Sequence, residues 1–113
     1  MTDCLFCKIA AGEIPSNVVY EDEDVLAFRD ISPKAPTHIL IIPKKHLTSL
    51  ADTTDEDAAL LGKIQILARQ LAEKEGIAEG GFRVISNSGA DSGQEVPHLH
   101  YHLVGGRKLG DIC

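Results

Sequence analysis

From His98 to Val104 the chain alternates imidazoles with apolar side chains, in the order His98, Leu99, His100, Tyr101, His102, Leu103. On an extended strand, residues two apart share a face. Three imidazoles therefore line one side while Leu99, Tyr101 and Leu103 anchor the other. Such a strand demands a sheet that is packed on one face and accessible on the other. With 113 residues there is room for a single domain, 1–113, since two halves would each lack a core. The 43% hydrophobic content suffices for a modest core, and 25% charged residues is ordinary for a folded domain.

The remaining elements can be read around that strand. Cys4 to Ala11 predicts a short helix with Leu5, Ile9 and Phe6 on one side, stopped by Gly12 and Pro15. Val18-Val19-Tyr20 and Val25-Leu26-Ala27-Phe28 flank the acidic turn Glu21–Asp24 and read as a hairpin. After the proline-bearing loop Asp30–Pro36, the unbroken run Ile39–Ile42 predicts a central strand buried on both faces and ended by Pro43. Thr53 as N-cap with Glu56 three residues on predicts the start of a long helix. Leu60, Ile64, Leu67 and Leu71 form its apolar stripe, and Gly76 suits its C-terminus. Ile66 lies off that stripe, near Ala59 and Gly62. It reads either as a stray exposed residue or as a seam for a partner helix. Phe82–Ser86 and His98–Val104 are strands separated by the polar loop Asn87–Gly93. Strands follow one another rather than alternating with helices, which predicts an α+β fold with an antiparallel sheet.

Charge and cysteine usage narrow the function. With 17 Asp+Glu against 11 Lys+Arg, the formal charge is -6, which disfavours binding to nucleic-acid polymers or anionic membranes. No apolar run approaches the roughly 20 residues that span a bilayer, and Met1-Thr2-Asp3-Cys4 does not open a secretory signal. Three cysteines without such a signal predict a reducing, cytoplasmic setting and a metal or free-thiol role rather than a disulfide framework. Cys4-Leu5-Phe6-Cys7 is a C-x-x-C pair open to redox or metal use, and no thioredoxin-like βαβ pattern surrounds it.

Three imidazoles on one strand face suit two chemistries. They can ligate zinc. Alternatively, a neutral imidazole can attack phosphorus while a second binds or protonates what leaves. The preceding loop offers Asn87, Ser92, Gln94 and glycine amides that can hold a phosphate without Lys or Arg, which favours phosphorus chemistry. Together with Gly93-Gln94-Glu95-Val96-Pro97 before it and Gly105-Gly106-Arg107 after it, the histidine run resembles the signature of the histidine triad (HIT) family. The resemblance extends through Phe28–His38 and Ile42-Pro43-Lys44-Lys45-His46 and covers nearly the whole chain. The closing Gly105-Gly106-Arg107 is similar to the nucleoside-phosphoramidase branch.

That resemblance implies a HIT-like five-stranded antiparallel sheet with a short N-terminal helix and one long helix. It implies cleavage of purine nucleoside phosphoramidates, with His100 as the nucleophile, His102 on the phosphate oxygens and His38 supporting the relay. Asp30 would accept the ribose hydroxyls. Phe6, Ile14, Phe28, Ile31 and Leu40 would hold the base; Asn87, Gly93, Gln94 and Val96 would surround the phosphate and its leaving group. Glu95 stands where the animal enzymes usually have serine, and the chain ends at Cys113 without a C-terminal aromatic, so the identity of the amine is open. With His38, His100 and His102 engaged in catalysis, His46 and His98 remain to complete a Cys2His2 set with Cys4 and Cys7. Some triad proteins place a structural zinc at the matching positions, and no catalytic metal is expected. Cys113 is left without a role. The resemblance also favours a homodimer through the long helix and an edge strand, in line with Ile66. The alternatives are a dinucleoside polyphosphate hydrolase, which usually carries a proline-containing segment in place of Gly105-Gly106-Arg107, a nucleotide sensor that only binds, and a metallohydrolase.

Overall fold

In the computed structural model, which describes residues 4–111, the apolar run Ile39–Ile42 lies in β3 (Thr37–Pro43), every residue of which is buried. β3 pairs antiparallel with β2 (Val25–Arg29) on one side and β5 (Tyr101–Gly105) on the other. The edges are β1 (Val18–Glu21), beside β2, and β4 (Phe82–Ile85), beside β5. The five strands run in the order β1-β2-β3-β5-β4. The α+β antiparallel fold expected from the sequence is the fold observed.

Period-two alternation sends successive residues of β3 to opposite layers. Ile39 and Ile41 join Val25, Ala27, Leu99, Tyr101 and Leu103 in a core under the long helix α2 (Ala58–Lys74). Its stripe residues Ile64, Leu67 and Leu71 are buried against the sheet, Leu60 packs partly buried beside them, and Ile66 is 52% exposed. Leu40 and Ile42 join Leu26 and Phe28 on the other face, where Phe6 of the short helix α1 (Leu5–Ala10) covers them. Because α1 covers only part of that face, the rest is left for chemistry.

Two boundaries differ from the expectation. The capping box sits one residue later, on Thr54 and Asp57, in a 3-10 turn (Asp55–Asp57) that leads directly into α2. Thr53 instead closes the preceding turn, its hydroxyl donating to the Leu50 carbonyl at 2.8 Å. Asp57 gains more than Glu56 would, because it also receives Lys45 Nζ at 2.7 Å. The last strand begins at Tyr101, not His98. Pro43 has no N–H to extend the ladder, its carbonyl accepts the His98 ring N–H at 2.8 Å, and the Leu99 N–H goes to Leu47 O. His98 therefore lies in a bend closed by its N–H on the Val96 carbonyl at 2.8 Å, ahead of β5, and the alternation of faces through His100 survives without the ladder.

Candidate active site

The histidines form a row across the sheet face opposite α2. His102 on β5 lies opposite Leu40, and His38 on β3 lies opposite Val104. The His98, His100 and His102 rings succeed one another on this face, with His100 and His102 centroids 5.0 Å apart. Phe6 packs edge-on against both His98 and His100, at 5.9 and 5.1 Å. A side chain of α1 thus fixes the angle of the row.

The hydrogen bonds assign the tautomers. His100 Nδ1 lies 2.7 Å from the carbonyl of His98, an obligate acceptor, so Nδ1 carries the proton and Nε2 keeps a lone pair. The Lys34 backbone N–H donates to His38 Nδ1 at 3.0 Å. His38 must then hold its proton on Nε2, which donates to His102 Nδ1 at 2.9 Å. A neutral His102 consequently carries its proton on Nε2. Burial, followed by the neighbouring His100 and His38, pushes His102 down to about 4, with Asp30 acting weakly the other way. Burial likewise lowers His38. Both rings are neutral at pH 7.

Asp30, at the end of β2, is held by its own backbone: its N–H donates to His38 O, and its Oδ1 accepts the Ser32 N–H at 2.7 Å. Its Oδ2 lies 3.6 Å from His38 Nε2. A hollow of about 230 Å³ is lined by Phe6, Leu40, Val96, His100 and His102, with Asp30, Asn87, Gly93 and Glu95 at its borders. Phe28 sits beneath it, its ring 5.6 Å from Phe6. Of the other expected base-pocket residues, Ile14 lines a separate depression beside Leu26, and Ile31 is 97% exposed. Gln94 is turned into its own loop, where Oε1 accepts the Gly89 N–H and Nε2 donates to the Thr48 and Val96 carbonyls. It shapes the loop rather than facing the hollow.

Cys4, Cys7, His46 and His98 bring their ligand atoms within 4.8 Å of one another. Sulfur-to-nitrogen distances are 3.2 Å (Cys7–His46), 3.3 Å (Cys4–His98) and 3.5 Å (Cys7–His98), and the two Nδ1 atoms lie 3.2 Å apart. Because the His98 Nε2–H is committed to Pro43 O, its Nδ1 presents a lone pair to the cluster. Burial and then the adjoining Cys4 raise the Cys7 thiol, so two thiolates side by side need a cation between them. The group can hold a metal ion. Asp30, His38 and His102 also cluster. However, the 2.9 Å between the two imidazole nitrogens is a hydrogen-bond distance, shorter than the roughly 3.3 Å that two ligands of one zinc keep.

A second, larger hollow of about 380 Å³ adjoins the first and shares Asp30, Asn87, Glu95 and His102 with it. Lys34, Arg83 and Arg107 line it; in the sequence Arg107 stands out only as part of Gly105-Gly106-Arg107, and Lys34 and Arg83 carry no functional signal of their own. Arg83 is placed by its period-two relation to Ile85 on β4, which faces it to the same side as His102.

The profile of the HIT domain family matches residues 11–109. The chain belongs to the HIT family. Among curated HIT relatives, the purine nucleoside phosphoramidase of Escherichia coli (strain K12) is 52% identical over 110 residues, covering 97% of this chain and 92% of its own. Protein HitA of Neisseria gonorrhoeae is 48% identical over 105 residues, covering 93% and 97%. Among solved HIT structures, a HIT family hydrolase from Legionella pneumophila Philadelphia 1 superposes with a TM-score of 0.94 at 56% identity, covering 96% of each chain. A histidine triad protein from Clostridium difficile gives 0.95 at 52% identity, covering 98% of this chain and 96% of its own.

Proposed function

We propose that this HIT protein hydrolyses the P–N bond of purine nucleoside 5'-phosphoramidates, passing the nucleotidyl group through His100. One observation supports the reading: His100 commits Nδ1–H to a fixed carbonyl, which leaves the lone pair on Nε2, and its ring lines the smaller hollow. In the first step Nε2 bonds to phosphorus, and the P–N bond pair leaves with nitrogen, which takes a proton from water. In the second step water attacks the same phosphorus, the imidazole departs with the P–N pair, and the nucleoside monophosphate is released. The His102 Nε2–H hydrogen-bonds a phosphoryl oxygen throughout, held in that tautomer by the chain Lys34 N–H to His38 to His102. Asp30 accepts the ribose hydroxyls, and Phe6 and Leu40 contact the base. Asn87 and Gly93 border the phosphate.

The Cys4–Cys7–His46–His98 group takes a structural zinc in this reading. A tetrahedral zinc holds sulfur and nitrogen ligands about 3.5 Å apart and two nitrogens about 3.3 Å apart, close to the spacing of these side chains. It ties α1 to the approach of β5 and enters no chemical step. The protein acts in the cytoplasm as a homodimer. Ile66 on α2, and Phe82 and Val84 on the unpaired edge of β4, are exposed apolar residues that such an interface would cover.

The test assays an adenosine phosphoramidate and a diadenosine polyphosphate side by side, with the native protein, His100→Ala and added chelator. The expected result is preferential P–N cleavage that falls at least about a thousandfold in His100→Ala and persists in chelated protein that remains folded. Turnover surviving in His100→Ala would refute the nucleophile. Preference for the polyphosphate would place the protein with the dinucleoside hydrolases.

A further inference from the structure

We propose that Arg107 is a positioning residue for the histidine relay: by holding the Lys34 carbonyl it fixes the backbone N–H that orders the protons on His38 and His102. The effect on turnover rests on the phosphoramidase reading, whereas the ordering of the rings does not. Arg107 Nη2 donates to Lys34 O at 2.8 Å, and its Nη1 donates to Lys108 O at 2.9 Å. The guanidinium thus ties the segment after β5 to the loop between β2 and β3. It holds the residue on which the relay depends. The Lys34 N–H donates to His38 Nδ1 at 3.0 Å, and His38 passes that order to His102 at 2.9 Å.

The loop sequence explains why Lys34 needs a clamp. In Ser32-Pro33-Lys34-Ala35-Pro36 the two proline rings hold φ at roughly -65°. Ser32 and Ala35 each precede a proline, which confines them to extended conformations. Lys34 is the one residue of the five under neither restriction. Asp30 anchors one end of the loop, its Oδ1 accepting the Ser32 N–H at 2.7 Å, and β3 anchors the other from Thr37 onward. Between these anchors Lys34 is where the loop can turn, and a turn there carries its N–H away from His38. The glycines before Arg107 bring it within reach. Gly105 pairs with Thr37 at the end of the β3–β5 ladder. A Cβ on Gly106, at φ +97°, would meet Pro36 Cβ at 2.9 Å. The chain leaving β5 therefore lies against the end of the loop at a distance that favours glycine. Gly105-Gly106-Arg107 acts as one device, in which the glycines set the approach and the arginine makes the tie.

The test reads the ring nitrogens of His38, His100 and His102 by proton–nitrogen NMR at pH 7 in the ligand-free protein, where no effect can arise from Arg107 touching a substrate. In the native protein His38 and His102 should each be a single tautomer with the proton on Nε2. In Arg107→Met at least about a fifth of His38 should carry the proton on Nδ1 instead, and His102 should change with it in the same proportion. His100, held by the His98 carbonyl, should keep its single form and so reports that the site remains folded. Arg107→Lys, which can reach the Lys34 carbonyl with its ammonium, should restore most of the native pattern. For adenosine 5'-phosphoramidate, kcat of Arg107→Met should fall about three- to tenfold as the His102 ring loses position, with KM changed less than about twofold. Single Nε2–H tautomers of His38 and His102 in Arg107→Met would overturn the inference, whatever the turnover. Mixed tautomers in that variant, with no phosphoramidate cleaved by the native protein, would support the clamp and overturn the phosphoramidase reading.

Discussion

Acidification tests the polarity of the histidine relay. Lys34 N–H, His38 and His102 form a chain whose direction is set by a backbone donor that cannot reverse. Adding one proton to either ring forces two donors to face each other, at Lys34–His38 or at His38–His102. That steric logic agrees with the lowering of both rings by burial. For His102 the fall is from 6.5 to about 4, equivalent to about 3 kcal/mol between the two protonation states. Since the ring is not fully buried, screening by water reduces this to about 1–2 kcal/mol of folding stability. Between pH 6.5 and about 4 the unfolded chain takes up the proton and the folded chain does not. Stability from this ring is therefore complete above pH 6.5 and is lost as pH falls through that window. Denaturant unfolding at pH 7 and pH 4.5 should show His102→Gln losing about 1–2 kcal/mol less than the native protein. The difference between the two proteins cancels the acid sensitivity of the Cys/His group. Proton NMR of the His102 ring should give a midpoint well below 6.5. A midpoint at or above 6.5 would refute the donor–donor argument, and with it the tautomer assigned to His102.

Three further outcomes are expected. Chelation, or Cys7→Ser, should lower thermal stability, by about 4 kcal/mol if zinc is present at a thousand times its Kd, while kcat of the folded protein changes by less than about threefold. Calorimetry with metal analysis checks this, and an unchanged Tm with no bound metal counts against the zinc site. Gly106→Ala should cost about 1–3 kcal/mol, because Gly106 sits at φ +97° and a Cβ there would meet Pro36 Cβ at 2.9 Å; urea unfolding measures the cost, and a neutral result would mean that the Pro36 loop yields freely. Ile66→Glu should shift the protein from dimer to monomer at micromolar concentration in sedimentation velocity, and a native protein that is already monomeric rejects the interface.

Periodicity made most of the architecture legible. The run Ile39–Ile42, the stripe Ile64–Leu67–Leu71 and the alternation through Leu103 each match the layer they occupy. The capping register was ambiguous because Thr53-Thr54-Asp55-Glu56-Asp57 contains two overlapping boxes, and only the ion pair from Lys45, distant in sequence, distinguishes them. The start of β5 was misread because the ladder depends on the partner strand, and Pro43 terminates it there. Ile31 follows Asp30 in a motif, yet motif adjacency does not determine burial, and its side chain stands in solvent. The basic hollow was illegible for a different reason. Lys34, Arg83 and Arg107 come from three separate segments and meet only when β3, β5 and β4 pair.

His98 serves two neighbourhoods through different atoms. Its imidazole belongs to the cysteine cluster, whereas its main-chain oxygen orients the nucleophile. Every amino acid supplies that oxygen. The side chain at this position is therefore free to be exchanged, together with its three companions, without altering the acceptor that His100 requires. The metal cluster and the reacting centre, adjacent in space and sharing a residue, are separable units of inheritance: a lineage could discard the first, replace it with apolar packing around Phe6, and keep the second intact.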